Sequence, residues 1–366
     1  MKVDWIVGWI SESELKKKGG TINRYRDNNE LIYCLRSIYK YVPWINKIHI
    51  ILGGNSEIPA WLNPNHDKIN IVKEPTLYNP VQPNSETKKL FYHLIPGLAD
   101  YFFTSDDDMF LVNPIYFPWY FIKNKIIMNS VGFCIEHHNE QNDGSGHIPI
   151  LWNKKLYGMA IKQINISKYV TMGRKRCNPW IIMKKYLLQK NLILNGNLKS
   201  PLLWVNDQNA DNLNTTYNTL IFNMLFRRPS SNNFICINDD FSITNHEKYK
   251  EQYIVTQRFL TFLFVNKAPW ETMDSNLKYS IGSRLLEIKI NIEPCHGVSK
   301  KIPLYFKIPD NIQYNIVPCE NRFQKGFDYR IINDKLTISR KDKKKGWNFS
   351  HNIVLIFSQK NNSNRI

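Results

Sequence analysis

Three consecutive aspartates, Asp106, Asp107 and Asp108, follow an apolar stretch that is typical of a buried strand. In open α/β sheets, ligands bind at the carboxyl ends of the strands, so these carboxylates are predicted to face a ligand. Clustered carboxylates are costly unless water or a cation compensates them, and their oxygen atoms suit Mg²⁺ or Mn²⁺. Such a cation can bridge the diphosphate of a nucleotide-sugar. A solvated surface turn is the alternative interpretation of this motif.

A second apolar segment, residues 233–237, also runs into acidic residues, Asp239 and Asp240. Two acidic strand ends can converge on one site. The pair of motifs therefore favours a cation-dependent reaction over two unrelated surface turns.

Composition limits the class of protein. The chain has 366 residues, of which 43% are hydrophobic, so it is globular and long enough for two domains. Lysine and arginine total 49 against 31 acidic residues, a net charge of +18 that favours anionic partners. Nucleotides, phosphosugars, acidic glycans, nucleic acid and anionic lipid all remain open on charge alone. The six cysteines lack metal-ligand spacing, so we predict no zinc site and assign Cys34 and Cys236 to the core.

Strand and helix signals alternate along the first hundred residues. Strands are predicted at 3–10, 47–52, 69–72 and 100–104, and helices from an N-cap at Asp27 to Pro43 and from Ser85 to Leu94. This order predicts an α/β, doubly wound, Rossmann-like core with a largely parallel sheet.

The pattern changes after residue 271, where apolar and polar residues alternate. Strands are predicted at 278–293, 302–308, 312–317, 329–338 and 352–357, with the basic run 340–345 as a solvated hairpin turn. We therefore predict two domains, residues 1–271 and a C-terminal antiparallel β-sandwich-like module at 275–366. The chain shows neither a signal peptide nor an apolar span of membrane length, so we expect a cytoplasmic protein.

Several motifs together resemble the Stealth family. These proteins are capsular-polysaccharide hexose-1-phosphate transferases related to the catalytic part of N-acetylglucosamine-1-phosphotransferase. The longest similarity runs from Arg24 to the IPAWL segment at 58–62. The shorter ones are DWIVGWI at 4–10, IPGL at 95–98, DDDMF at 106–110, GHIP at 146–149, FICINDD at 234–240 and APWE at 268–271.

The resemblance implies a glycosyltransferase-like core and a reaction. A sugar-1-phosphate would pass from a nucleotide-sugar, of the UDP-N-acetylglucosamine type, to a glycan hydroxyl, with release of a nucleoside monophosphate. Mg²⁺ or Mn²⁺ is the implied cofactor. The implied partners are a nucleotide-sugar donor and a glycan or polysaccharide acceptor rather than nucleic acid, and the basic charge is compatible with peripheral membrane association.

The resemblance also implies site residues. His147 is predicted as the general base, because a neutral imidazole can accept a hydroxyl proton near pH 7. Asp107 and Asp108 complete the catalytic set and, with Asp240, form the predicted metal site. The predicted substrate-binding residues are Asp4, Trp9, Arg24, Arg26, Arg36, Asn238 and Asp239.

Two other functions remain open at this point. A metal-dependent glycosyltransferase would use the same core but would release a nucleoside diphosphate. An inactive glycan-binding homologue would act through its β module. The sequence departs from the family pattern at Asp106, where an asparagine is usual, and at Lys89, where an acidic residue is usual. An arginine expected before the helix of the third block is also missing.

Overall fold

The computed structural model describes residues 1–17, 29–74, 88–131, 147–164, 179–197, 203–205, 213–226, 233–237, 246–272, 284–295, 299–304, 308, 312–319, 327–333, 335–342, 347 and 350–359. The chain divides into two compact units. The N-terminal unit comprises Met1–Asn206, Asn232–Ser242 and Lys267–Asn276. The C-terminal unit comprises Asp207–Ser231, Ile243–Asn266 and Leu277–Ile366.

A five-stranded sheet forms the centre of the N-terminal unit. Its strands are β1 (Val3–Trp9), β2 (Ile48–Leu52), β3 (Ile69–Lys73), β4 (Tyr101–Asp106) and β8 (Ile150–Asn153), in the order β3-β2-β1-β4-β8. All neighbours are parallel except β4 and β8. Every residue of β1 is buried, as expected for a central parallel strand. The order 3-2-1-4 is that of doubly wound folds, so the predicted α/β class is confirmed.

Two short helices follow β1, α1 (Glu12–Lys17) and α2 (Glu30–Tyr41). The N-cap of α2 is Asn29, in the left-handed region at φ 59°, and not the predicted Asp27, which lies outside the described residues. The helix ends before Pro43, as predicted. On its buried face, the Ser37 hydroxyl donates to the Cys34 carbonyl and accepts from the Leu111 amide, which ties α2 to a strand beyond β4.

The rest of the N-terminal unit consists of short elements around this sheet. These are β5 (Met109–Leu111), β6 (Phe121–Ile122), β7 (Lys125–Met128), α3 (Lys154–Ile161), α4 (Pro179–Gln189), β9 (Ile193–Asn195), β10 (Leu203–Val205) and β11 (Phe234–Ile237). They form two further sheets, β10-β11-β5 and β6-β7-β9. Two 3₁₀ helices span Lys88–Leu94 and Phe117–Tyr120. The first of them stands where an α-helix was predicted.

The C-terminal unit contains two three-stranded antiparallel sheets, β12-β17-β14 and β13-β16-β15. The strands are β12 (Arg284–Ile292), β13 (Ser299–Pro303), β14 (Ile312–Pro318), β15 (Phe327–Ile332), β16 (Lys335–Arg340) and β17 (His351–Gln359). Ring contact between Phe327 of β15 and His351 of β17, at 5.1 Å, joins the two sheets. The predicted antiparallel β character of this region is therefore confirmed.

One strand prediction in this region needs correction, and the predicted domain boundary differs from the division into two units. The segment 329–338 was expected to be one strand, but Asn333 adopts φ 49° and divides it into a hairpin of β15 and β16. The boundary at residue 271 also differs, because helices α5 (Leu213–Phe226) and α6 (His246–Leu263) belong to the C-terminal unit. Both pack on β12, which buries their apolar side chains. Within the described part of the chain, no helix combines the length and apolarity needed to span a membrane.

Candidate active site

The acidic motif lies at the carboxyl edge of the parallel sheet. Asp106 is the last residue of β4 and is paired in register with Gly8 of β1. The indole Nε1 of Trp5 donates to the Ser105 hydroxyl at 2.9 Å, which anchors the strand just before the motif. The chain then turns at Asp107 and Asp108. The carboxylates therefore occupy the edge at which ligands bind in this class of fold.

Two other strands bring His147 and Cys236 to the same turn. β8 runs antiparallel to β4 with Ile150 opposite Thr104, so the residues that precede Ile150 lie beside the end of β4. His147 is one of these residues. β11 runs antiparallel to β5 and places Cys236 opposite Met109.

The side chains of Asp108, His147 and Cys236 form a compact cluster, which we call the DHC cluster. The Cys236 Sγ lies 3.4 Å from the Asp108 Oδ2 and 3.5 Å from the His147 Nδ1. All three potential ligand atoms lie within 4.8 Å of one another, so the cluster could hold a metal ion. Cys236 is buried, whereas Asp108 and His147 are half-buried.

Burial and mutual charge control the protonation of the cluster. Burial raises the pKa of Asp108 to about 7, and the negative charge of Asp106 acts in the same direction. The hydrogen bond from Cys236 opposes this shift. The Oδ1 atom of Asp108 is buried and has no hydrogen-bond partner among the described residues. Burial likewise raises the pKa of the Cys236 thiol, to which the charge of Asp108 adds. A cation would relieve both costs, since it compensates the negative charge that burial disfavours.

His147 is held in its neutral form. Burial lowers the pKa of the imidazole, and the positive charge of Lys89 acts in the same direction, while Asp106 opposes them. The Lys89 ammonium lies over the Trp180 ring, 4.6 Å from its centroid. The family usually has an acidic residue at the position of Lys89. This chain therefore places a positive charge near the candidate base instead.

The structure places Arg36, a predicted phosphate-binding residue, in an ion pair with Glu271. Its Nε and terminal nitrogen donate to the two carboxylate oxygens of Glu271 at 2.8 and 2.7 Å. The side chains of this ion pair are only 4% and 0% exposed. Glu271 also accepts from the Ala268 amide. The guanidinium therefore forms a long-range contact, and its phosphate-binding role stays a prediction.

The structure does not bring Asp4, a predicted substrate-binding residue, to the acidic turn. It lies near the start of β1, whereas the acidic motif lies at the strands' carboxyl ends. Its fully buried carboxylate accepts hydrogen bonds from the Asn46 side chain and from the Lys47 and Ala99 amides. It also pairs with the His49 Nε2 at 2.9 Å. Asp4 stabilises the fold on the opposite edge of the sheet.

The other predicted residues fall into two groups. Trp9 ends β1 at the same edge as Asp106 and is 8% exposed, and its substrate role stays a prediction. Asp107 lies in the turn next to Asp108 and is half-buried. Predictions for five residues lie outside the described part of the chain, namely Arg24, Arg26, Asn238, Asp239 and Asp240.

Cys236 is the site residue that sequence reasoning missed. Its apolar neighbours made it look like a small core residue, and it is indeed buried. One signal could have identified it. Because residues i and i+2 of a strand share a face, the sequence pattern alone would place Cys236 on the same face as Asn238, which precedes Asp239 and Asp240.

Comparison with known proteins confirms the resemblance to the Stealth family. Residues 24–129 match the model of Stealth protein CR2, conserved region 2, which includes Asp106, Asp107 and Asp108. A capsular polysaccharide phosphotransferase of Streptococcus thermophilus is 32% identical over 108 residues, which cover 28% of this chain and 44% of that protein. A receptor polysaccharide phosphotransferase of Streptococcus gordonii is 29% identical over 140 residues, 31% of this chain and 39% of that protein. The matched segment thus spans less than half of these relatives.

Two solved glycosyltransferases show weak structural similarity. The apo form of the glycosyltransferase GlyE of Streptococcus pneumoniae gives a TM-score of 0.38 at 10% identity, covering 72% of this chain and 64% of that one. The galactosyltransferase LgtC, with donor and acceptor sugar analogues, gives 0.39 at 12% identity, covering 68% and 95%. At these scores the similarity adds nothing to the strand order described above.

Proposed function

We propose that this chain is a cation-dependent hexose-1-phosphate transferase of the cytoplasm. It moves a sugar-1-phosphate from a nucleotide-sugar, of the UDP-N-acetylglucosamine type, to a glycan hydroxyl and releases a nucleoside monophosphate. The observation that carries the proposal is the convergence of Asp108 and His147 at the carboxyl edge of the sheet. The match to Stealth conserved region 2, and the names of the relatives that share it, support the reaction class.

The strand end fits a divalent cation. The Asp108 Oδ1 is buried without a hydrogen-bond partner among the described residues, and the adjacent Asp106 and Asp107 add negative charge. Asp107 and Asp108 would hold Mg²⁺ or Mn²⁺, with Asp240 as a predicted further ligand. When bound, the cation neutralises charge on the diphosphate as the leaving group departs.

His147 accepts the proton of the acceptor. Because burial lowers the pKa of its imidazole, the ring is neutral near pH 7 and can take the hydroxyl proton. The acceptor oxygen then forms a bond to the sugar-bearing phosphorus. The bond from that phosphorus to the nucleoside monophosphate oxygen breaks in the same displacement, and the monophosphate leaves with the electron pair.

Fixed positive charge supports binding of the phosphates. The positive charge of Lys89 lies near enough to His147 to lower the pKa of its imidazole. Arg24 and Arg26 are the predicted phosphate partners from the part of the chain outside the described residues. Positive groups that are already positioned stabilise the charge that develops on the leaving phosphate.

A nucleotide-sugar screen tests the proposal. The chain is incubated with a panel of nucleotide-sugars and glycans in the presence of Mg²⁺ or Mn²⁺, and the nucleotide product is identified. We expect a monophosphate from one donor, abolished in Asp108→Asn and retained in the control Asp67→Asn, whose side chain is 86% exposed. A diphosphate product would instead identify a glycosyltransferase. Glycan binding without turnover of any donor would identify an inactive binding protein.

A further inference from the structure

The DHC cluster combines ligand types that Mg²⁺ does not prefer. It offers one carboxylate oxygen, one imidazole nitrogen and one sulfur, all within 4.8 Å. Thiolate and imidazole select borderline and soft cations such as Zn²⁺ and Co²⁺, whereas Mg²⁺ binds oxygen ligands. The cluster therefore prefers different metals from the row Asp106, Asp107 and Asp108, although Asp108 belongs to both groups.

Two of the three spacings in the cluster match those of a tetrahedral site. Bonds of about 2.3 Å to sulfur and about 2.0–2.1 Å to nitrogen or oxygen, at a tetrahedral angle, separate the ligand atoms by about 3.5 Å. The Cys236 Sγ lies 3.4 Å from the Asp108 Oδ2 and 3.5 Å from the His147 Nδ1. The ligand atoms of Asp108 and His147 lie within 4.8 Å of each other, so movement of these two side chains toward each other would bring all three atoms around one ion.

Charge and access also favour such an ion. A thiolate and a carboxylate carry two negative charges, which balance a divalent cation, and the thiol proton is released to solvent on binding. The Asp108 Oδ1 is buried without a hydrogen-bond partner among the described residues, so the carboxylate can take a ligand without losing an existing bond there. Asp108 and His147 are half-buried, which leaves a route for the ion.

We infer that the DHC cluster binds a thiophilic divalent cation such as Zn²⁺ and that this ion inhibits the enzyme. The inhibitory part rests on the proposed function. An ion held by Asp108, His147 and Cys236 occupies the imidazole that should take the acceptor proton, and it removes Asp108 from the Mg²⁺ or Mn²⁺ site. The sequence-based expectation of no zinc site relied on cysteine spacing along the chain, which cannot show ligands from three separate strands and turns.

Binding is tested first, without reference to activity. Co²⁺ is titrated into the full chain, and the near-ultraviolet thiolate-to-cobalt band is followed and then displaced with Zn²⁺. Cys236→Ser should weaken Co²⁺ affinity by more than about 100-fold and abolish the band, since even losing a group that only orients a ligand costs about 10–100-fold. His147→Gln should weaken binding while leaving the thiol in place. The matched control is Cys34→Ser, a buried cysteine whose Sγ contacts the Asp106 carbonyl outside the cluster.

Inhibition is tested second, with each variant compared with its own rate without Zn²⁺. Zn²⁺ should inhibit the wild type and Cys34→Ser strongly, and it should inhibit Cys236→Ser at least about 10-fold less. Equal inhibition of Cys236→Ser, or a Co²⁺ band that survives in it, overturns the inference. A band that depends on Cys236 in a chain that turns over no nucleotide-sugar would support the metal site and overturn the proposed function instead.

Discussion

The Arg36 guanidinium and the Glu271 carboxylate form a buried bidentate ion pair across 235 residues of sequence. Arg36 lies on α2, and Glu271 ends the APWE motif, whose Trp270 is 1% exposed and packs edge-on against Tyr39. Trp270 also accepts a backbone hydrogen bond from Asn63, and Thr272 donates one to Trp61. Two of the motifs that carry the family resemblance thus stabilise the fold by binding each other.

Removing one partner of this pair should destabilise the N-terminal unit. Arg36→Ala leaves the Glu271 charge buried and unpaired, which costs about 3–5 kcal/mol in comparable pairs. Urea unfolding of the full chain measures the loss. The control is Arg340→Ala, which breaks an exposed arginine–aspartate pair and should cost no more than about 1 kcal/mol. Wild-type stability of Arg36→Ala together with lost donor binding would contradict this account and favour the phosphate-binding prediction.

Asp4 should make the free energy of unfolding depend on pH in the acidic range. Although burial alone would raise its pKa, hydrogen bonds from His49, Asn46 and the Ala99 amide lower it below the usual value. The folded state therefore gains stability from the carboxylate above its unfolded pKa, and that gain is lost as the pH falls through the folded pKa.

Asp4→Asn should accordingly cost about 1–3 kcal/mol near neutral pH, since it leaves buried donors unsatisfied. Its difference from the wild type should shrink as the pH is lowered below about 4. Urea unfolding at a series of pH values measures this. Asp67→Asn serves as the control, since this residue is exposed and its replacement should change stability by less than about 0.5 kcal/mol. A difference that is constant with pH would contradict the account.

Phe357 should be a major contributor to the C-terminal unit. It is fully buried in β17, and its ring lies 5.1 Å from that of Phe262 in α6. Phe357→Ala should cost about 3–5 kcal/mol through lost burial and a cavity. Ile332→Ala, at a 49% exposed position of the same unit, should cost far less. Equal effects of the two changes in thermal unfolding would show that the helix does not pack on these strands as described.

The packing of the helices on the strands of this unit also predicts the outcome of truncation. A chain ending after Glu271 keeps α5 and α6 but removes the strand β12 on which they pack. We expect it to aggregate or to lose helix content, measured by circular dichroism, because the apolar faces of both helices become exposed. A soluble truncated chain with the full helix content would favour the domain boundary predicted from the sequence.

His147 should affect turnover and not donor affinity. As a general base it contributes about 10²–10⁴-fold to the rate. His147→Ala and His147→Gln should both lose that factor while binding of the nucleotide-sugar, measured by calorimetry, stays near the wild-type value. The control His66→Gln changes a histidine that packs on Trp270 away from the acidic turn. If both His147 variants turn over normally, the proton leaves by another route.

Local patterns predicted much of the N-terminal unit. The apolar run of β1, the helical stripe of α2 and the strand that ends at Asp106 were all found where the sequence placed them. These features depend on residues that are close in the sequence, so the spacing of apolar residues predicts them directly.

Long-range pairing could not be predicted in the same way. No local pattern identified the partner of Arg36, because Glu271 is 235 residues away in the sequence. Cys236 looked like a core residue because the antiparallel pairing of β11 with β5 is invisible to a local pattern. Asn333 divides a strand only because it adopts a left-handed conformation, which asparagine tolerates but does not require.

The fate of the sugar-bearing phosphorus tests the central claim most directly. The active nucleotide-sugar is labelled with ³²P at the phosphate attached to the sugar, and the products of the wild-type reaction are separated into glycan and nucleotide. The account predicts that the label enters the glycan and that the nucleotide product is an unlabelled monophosphate, with both lost in Asp108→Asn. Label recovered in a nucleoside diphosphate, with the glycan unlabelled, would contradict it.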